Sequence, residues 1–222
     1  MAATRFALDT THLVLRSMDA SDAGGPYRDM FADPAIMNAM NLPARRLTEA
    51  ELAGYIAGFD GRTRVLLGAW ERGTGTFCGF WTVTIDQAQG SATLDMALDR
   101  GHPRCGLFAL ESTLAVSDWL YRSGIEKAVA HVLVENRRAA RLFHAIGMTL
   151  EGTLRGELRD RRGGNGRVDL LRFGLLRSEF PLLETRIARL IARSGSLSGG
   201  RFRVAATRSA TTEGENAPAD VG

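Results

Sequence analysis

The sequence is nearly devoid of lysine: Lys127 is the single one, and every other basic side chain among its 28 Lys and Arg is arginine. The bland reading of that bias is a GC-rich genome, and the formal charge of +3 is small. Arginines that bind nucleic acid should cluster with stacking aromatics, and no stretch combines the two, so nucleic acid is not expected as a partner. Cysteine is scarce as well. Cys78 and Cys105 show neither disulfide-framework nor metal-ligand spacing, so reduced thiols are expected. His12, His102, His131 and His144 are dispersed, which leaves no zinc pattern and no expected metal. No apolar run approaches the ~18 residues of a membrane span. The opening "MAATRFALDTTHLVLRSM" lacks the basic-then-apolar order of a secretion signal, so the expected location is cytoplasmic. There is no internal repeat.

What remains is ordinary for a globular protein: 222 residues, 45% hydrophobic and 24% charged. "HLVLRSM" alternates as a half-buried strand. Residues 19–40 read as helix, broken near Gly24 to Pro26 and again at Pro34. Thr48 and Glu51 have capping-box spacing ahead of an amphipathic helix. "TRVLLGAW", "TFCGFWTVTI" and "SATLDMAL" are three strands in succession, followed by a loop and a long helix with Leu107, Leu110, Leu114 and Tyr121 close to one face, ended by Gly124. "KAVAHVLV" is the next strand. A hairpin around "RRGGNG" follows, and Pro181 then starts a helix with Leu183, Ile187, Leu190 and Ile191 on one side. The order implies one α+β domain over residues 1–181, with a mixed, mostly antiparallel sheet and helices on both faces. An amphipathic helix (182–193) and a polar tail without expected structure (194–222) complete the chain.

Between strand and helix, "VLVENRRAARLFHAIGMTLEG" places Asn136, which either caps the helix or offers its amide to a ligand at the strand's end. Gly147 stops that helix. Asn136, Ala139, Leu142, Phe143 and Gly147, followed by Glu151, Gly152 and Arg155, form a joined motif, and Asp169 precedes the last strand. This motif set resembles the GNAT superfamily of acyl-CoA-dependent N-acyltransferases, and most nearly its ribosomal-protein alanine N-acetyltransferase-like branch. The resemblance spans residues 12–181. It implies acetyl-CoA as co-substrate, lying between "SATLDMAL" and "KAVAHVLV" where those strands splay apart, with Asn136 bonding a pantetheine amide.

The resemblance also implies a phosphate cradle before the long helix, written Arg/Gln-x-x-Gly-x-Gly/Ala, where consecutive backbone N–H groups receive the pyrophosphate. Here the segment is "RCGLFALE". Aligned on Glu111, Arg104 and Ala109 match, but Leu107 stands where glycine is usual and Gly106 is one place early. The expected cofactor contacts are therefore Leu98, Arg104, Cys105, Gly106, Leu107, Phe108, Ala109 and Asn136.

Acyl transfer to an amine requires a base for the ammonium proton and a donor for the oxyanion, here a backbone N–H near Leu98. Asp95 is the expected base, because a charge inside a central strand needs a reason; its structural alternative is a hydrogen-bonded carboxylate. Its side chain should share a face with Thr93 and Ala97. Relatives place an acidic Tyr where this chain has Phe143, so thiolate leaves unaided or is protonated by water. Glu111 reads as a helix N-terminal charge, Asp169 as structural, His102 as solvated, and His144 as pointing away. Arg155, Arg159, Arg161, Arg162 and Arg167 gather at the hairpin. They form either a solvated loop or a basic rim favouring an acidic or phosphorylated acceptor. The acceptor is otherwise a primary amine of a small molecule or a protein N-terminus, and a homodimer stays open. The alternative to an enzyme is a catalytically silent CoA-binding or regulatory module.

Overall fold

A computed structural model describes residues 4–193 and the backbone of residues 205–208. The alternating run at Leu13–Ser17 is strand β2, and it pairs antiparallel with β1 (Phe6–Asp9), a strand too short to stand out by periodicity. The broken helix resolves into a short 3-10 turn (Ala20–Asp22), α1 (Gly25–Ala32) and α2 (Pro34–Ala39). Pro34 opens α2, where its missing N–H costs nothing, and Asp33 caps it by accepting from Ala35 N at 2.7 Å. Helix α3 (Glu49–Ala57) carries the expected capping box: Glu51 N donates to Thr48 Oγ1 at 3.2 Å, and Thr48 N to Glu51 Oε2 at 2.8 Å.

The remaining elements are β3 (Arg64–Glu71), β4 (Phe77–Asp86), β5 (Ser91–Leu98), α4 (Cys105–Arg122), β6 (Lys127–Leu133), α5 (Arg137–Ile146), β7 (Thr149–Arg159), β8 (Arg167–Leu176) and α6 (Phe180–Arg193). Within the stretch expected to lack structure, Ala205–Arg208 form β9 on the otherwise free edge of β1. The rest of that tail lies outside the described residues.

The strands form one nine-stranded sheet in the order β7-β8-β6-β5-β4-β3-β2-β1-β9. Every neighbouring pair is antiparallel except β5 and β6. A larger core on one face packs α4 and α6 over Leu15, Trp81, Leu94 and Phe173. A smaller core on the other face holds Tyr27, Met37, Leu52 and Ile56 from α1, α2 and α3 against Leu66, Phe80 and Ala97.

One carboxylate departs from its sequence reading. Glu111, read as a helix N-terminal charge, lies past the first turn of α4 and is 0% exposed. It accepts from Thr10 Oγ1 at 2.6 Å and His12 N at 3.1 Å, and it sits 2.6 Å from His12 Nδ1. These bonds tie α4 to the turn between β1 and β2, and they satisfy a group that would be costly to bury unpaired.

Candidate active site

Parallel pairing of β5 with β6 runs from Ser91↔Lys127 to Leu94↔Ala130 and stops there. Beyond that register the strands diverge into a fork. Asp95 and His131 are the next residues on each arm. Alternation places Ala92, Leu94, Ala128, Ala130 and Val132 in the larger core. Asp95 therefore faces the opposite side with Thr93 and Ala97, as His131 does with Val129. On that side lies a cavity of about 330 Å³, lined among others by Met40, Tyr55, Thr82, Asp95, His131 and Leu158.

Thr82, the cross-strand partner of Asp95, donates to Asp95 Oδ2 at 3.4 Å. Asp95 is open to the cavity but enclosed by its walls. That desolvation raises its pKa above the ordinary carboxylate value, opposed by the Thr82 hydrogen bond and by His131. Burial lowers the pKa of His131, aided by Arg172 and opposed by Asp95 and Glu157. Tyr55, on α3, is raised chiefly by burial.

A second cavity, about 190 Å³, adjoins the first and shares Ala39, Met40, Met96, Asn136, Ala139 and Leu142 with it. Its remaining walls include Leu98, Arg100, Cys105, Gly106, Ala109 and Arg138. The start of α4 borders it with no side chain capping the helix. Gly106 is exposed, and a Cβ there would meet nothing. Leu107 and Phe108 turn their side chains into the core, and neither lines this cavity. The side chain of Leu107 is thus no obstacle to close approach, and the small residue at the wall is Gly106.

Arg104 is engaged elsewhere: its guanidinium pairs with buried Glu71 and lies 5.4 Å from the Phe108 ring. His102 is not solvated. Its side chain is 15% exposed, 3.9 Å from Glu71, and its ring lies 4.8 Å from Phe108. Asp99 N donates to Cys78 O on β4 at 2.8 Å. Successive strand amides point to opposite edges, so the Leu98 amide faces the fork. Asn136 Oδ1 accepts from Ala139 N at 3.2 Å and caps α5, while Nδ2 bonds no described residue. The capping role and a free amide donor coexist.

Phe143 lines the 330 Å³ cavity and packs 5.4 Å from Phe173. His144 is exposed and lines neither cavity, but it does not simply point away from Phe143: its ring lies 5.1 Å from Phe173, the ring that Phe143 also packs against. Asp169 Oδ1 accepts from Gly156 N at 2.6 Å, fixing an irregularity in β7. None of the five hairpin arginines lines either cavity. Arg162 pairs with Glu135 at 2.6 Å and Asp160 at 2.9 Å, and Arg167 donates to the backbone oxygens of Gly156 and Glu157. Sequence reading missed Tyr55, Thr82, Asn41 and His131. Asn41, at φ 57, anchors the hairpin by donating to Arg159 O at 2.8 Å and accepting from Arg161 N at 3.1 Å.

Both cysteines are buried and free, and burial pushes the Cys78 thiol up to about 11. Among the described residues no cluster of His, Cys, Asp and Glu could hold a metal, and no helix is long and apolar enough to cross a membrane.

No curated protein sequence matches the chain. Solved structures with the same fold include a GNAT-family acetyltransferase from Bacillus anthracis, at 16% identity and TM-score 0.67, covering 78% of this chain and 99% of that one. A GCN5-related N-acetyltransferase from Brucella melitensis is 18% identical, with TM-score 0.69 and coverage of 89% and 93%. The spermidine N-acetyltransferase of Vibrio cholerae, solved with CoA and spermine, is 20% identical, with TM-score 0.65 and coverage of 76% and 98%. The model of the acetyltransferase (GNAT) domain matches residues 12–149, more than half of the sequence, and the chain belongs to that family of acetyltransferases.

Proposed function

We propose that the protein transfers an acetyl group from acetyl-CoA to a primary amine. The observation that carries this reading is the fork: the channel beside α4 and the cavity holding Asp95 meet there and share Met96 and Asn136. The uncapped helix start, the open space at Gly106 and the unpaired edges of β5 and β6 fit a pyrophosphate and an amide-bearing arm. Bound acetyl-CoA supplies a thioester carbonyl, whose oxygen the Leu98 N–H is placed to receive. Asn136 Nδ2 is the donor for the pantetheine arm, and Arg104, bound to Glu71, positions the helix start.

Asp95 takes the proton from the incoming ammonium. Desolvation raises its pKa above the ordinary carboxylate value, which strengthens it as a proton acceptor. No acidic side chain replaces the Tyr of relatives at Phe143, and a thiol of pKa ~8.5 leaves acceptably as thiolate. The likeness of the "VENRRAARLFHAIGM" motif to the alanine N-acetyltransferase branch keeps a protein N-terminus beside a small molecule as acceptor. Calorimetry with acetyl-CoA, followed by thiol release on adding amines, tests the reading. Absence of binding at millimolar acetyl-CoA refutes it.

A further inference from the structure

We infer that the acceptor is a primary amine with a single positive charge and an uncharged, apolar body. The inference rests on the acetyltransferase reading and concerns the cavity on the α3 side of the fork. Among the described residues lining it, Asp95 is the one carboxylate, and no Arg or Lys is present. Its apolar walls include Met40, Tyr55, Leu133, Leu142, Phe143 and Leu158. Leu158 is 39% exposed and Tyr55 40% exposed, so both lining residues leave part of their surface uncovered. Large exposed apolar side chains gathered in a concavity mark a binding wall.

Besides Asp95 the polar groups there are Asn41, Asn136, Thr82, His131 and the Tyr55 hydroxyl, none with a fixed charge, and Thr82 is bonded to Asp95. Both ends of the Asn41 amide bind the hairpin backbone, and Asn136 Oδ1 caps α5. Arg172 and Glu157, close enough to bias His131, carry opposite charges and lie outside the lining.

Charge selects the substrate class. One ammonium finds Asp95. A second ammonium, as in a polyamine, would leave water for an apolar wall with no counter-charge. A phosphate would meet Asp95 without an opposing arginine, since no hairpin arginine lines the cavity; Arg162 is paired with Glu135 and Asp160, and Arg167 is bonded to the hairpin backbone. Size agrees with a compact body. A cavity of ~150 Å³ holds benzene, so the 330 Å³ here accommodates the acetyl group and amine together with a body of roughly ten heavy atoms.

The test uses the full-length protein, acetyl-CoA and a thiol-release assay. Four amines are compared: 2-phenylethylamine, hexylamine, spermidine and glucosamine 6-phosphate. The expected result is a kcat/KM for the first two at least about 10-fold above the others, the usual scale for apolar-pocket discrimination. Leu158→Glu, at a half-exposed wall position, should narrow the ratio of 2-phenylethylamine to spermidine by about 10-fold or more, with unchanged circular dichroism. Preference for spermidine or the sugar phosphate overturns the inference, as does an unchanged ratio in a folded Leu158→Glu. Acetyl-CoA binding without turnover of either apolar amine overturns the substrate class alone. Failure to bind acetyl-CoA overturns the acetyltransferase reading and this inference with it.

Discussion

Asp95 and His131 stand opposite each other, one on each arm of the fork, at the first register past the last pair, Leu94↔Ala130. An acid held up by burial and an imidazole held down by burial therefore share one small space. Asp95→Asn keeps the shape and removes the base. Turnover of an identified amine should fall at least ~100-fold, while calorimetric acetyl-CoA affinity stays the same. Normal turnover in this variant would make Asp95 structural.

The same substitution has a thermal signature. A folded carboxyl pKa raised above the unfolded value favours the protonated native state. That stabilisation is present below the unfolded pKa, about 3.9, and is lost as pH rises through the folded value. Toward neutral pH that stabilisation is lost, whereas Asn carries no charge to desolvate, so Asp95→Asn should melt higher than wild type at pH 7. The difference should close as pH falls below the unfolded carboxyl range. Melting curves at pH 7 and pH 3.5 decide it, and a lower Tm for the variant at pH 7 contradicts the argument.

Asn136 can be divided into its two ends. Asn136→Ala loses the bond to Ala139 N and should cost about 1 kcal/mol of stability, together with acetyl-CoA affinity. Asn136→Asp retains an acceptor for the cap but no Nδ2 donor. It should hold the melting temperature while weakening acetyl-CoA binding. Equal affinity in both variants and wild type would reduce Asn136 to a cap.

Leu107 and Gly106 differ by one step around α4, yet they face opposite environments. Leu107→Gly should destabilise by about 3 kcal/mol or more, from a lost core side chain and a helical glycine. Gly106→Glu projects into open space and leaves the fold intact, but it sets a carboxylate in the channel. Acetyl-CoA affinity should fall about 10-fold or more, one unit of binding free energy being about 1.4 kcal/mol per decade. Urea melts and calorimetry separate the two cases. A stable Leu107→Gly would move Leu107 out of the core.

Glu111→Ala should cost at least about 2 kcal/mol, because Thr10 Oγ1 and His12 N lose their buried acceptor. Denaturant midpoints measure this directly, and a change within error would mean that water replaces the carboxylate.

Local signals were the readable ones. The Thr48–Glu51 box, Pro34, and Gly147 at φ 98 are decided within one turn of chain, and each appears where its spacing placed it. Strand alternation likewise oriented Asp95 correctly. The cavity was not legible, because Tyr55, Thr82 and His131 come from three separate elements and meet only through sheet register. Glu111 misled for the same reason, since its partners lie about a hundred positions away on another strand pair. At the head of α4, residue types alone could not show that Leu107 turns inward. Rotation by one residue, about 100°, decides which side chain a channel meets.

Four registers of pairing, Ser91↔Lys127 to Leu94↔Ala130, are all the hydrogen-bonded seam between β7-β8-β6 and the other six strands. The sheet is in effect two rafts lashed at one end. A guest that bonds both free edges extends the lashing, so it acts as girder as well as reagent. Occupancy and rigidity are then one equilibrium: whatever tightens the guest must stiffen the joint, and whatever loosens the joint must release the guest.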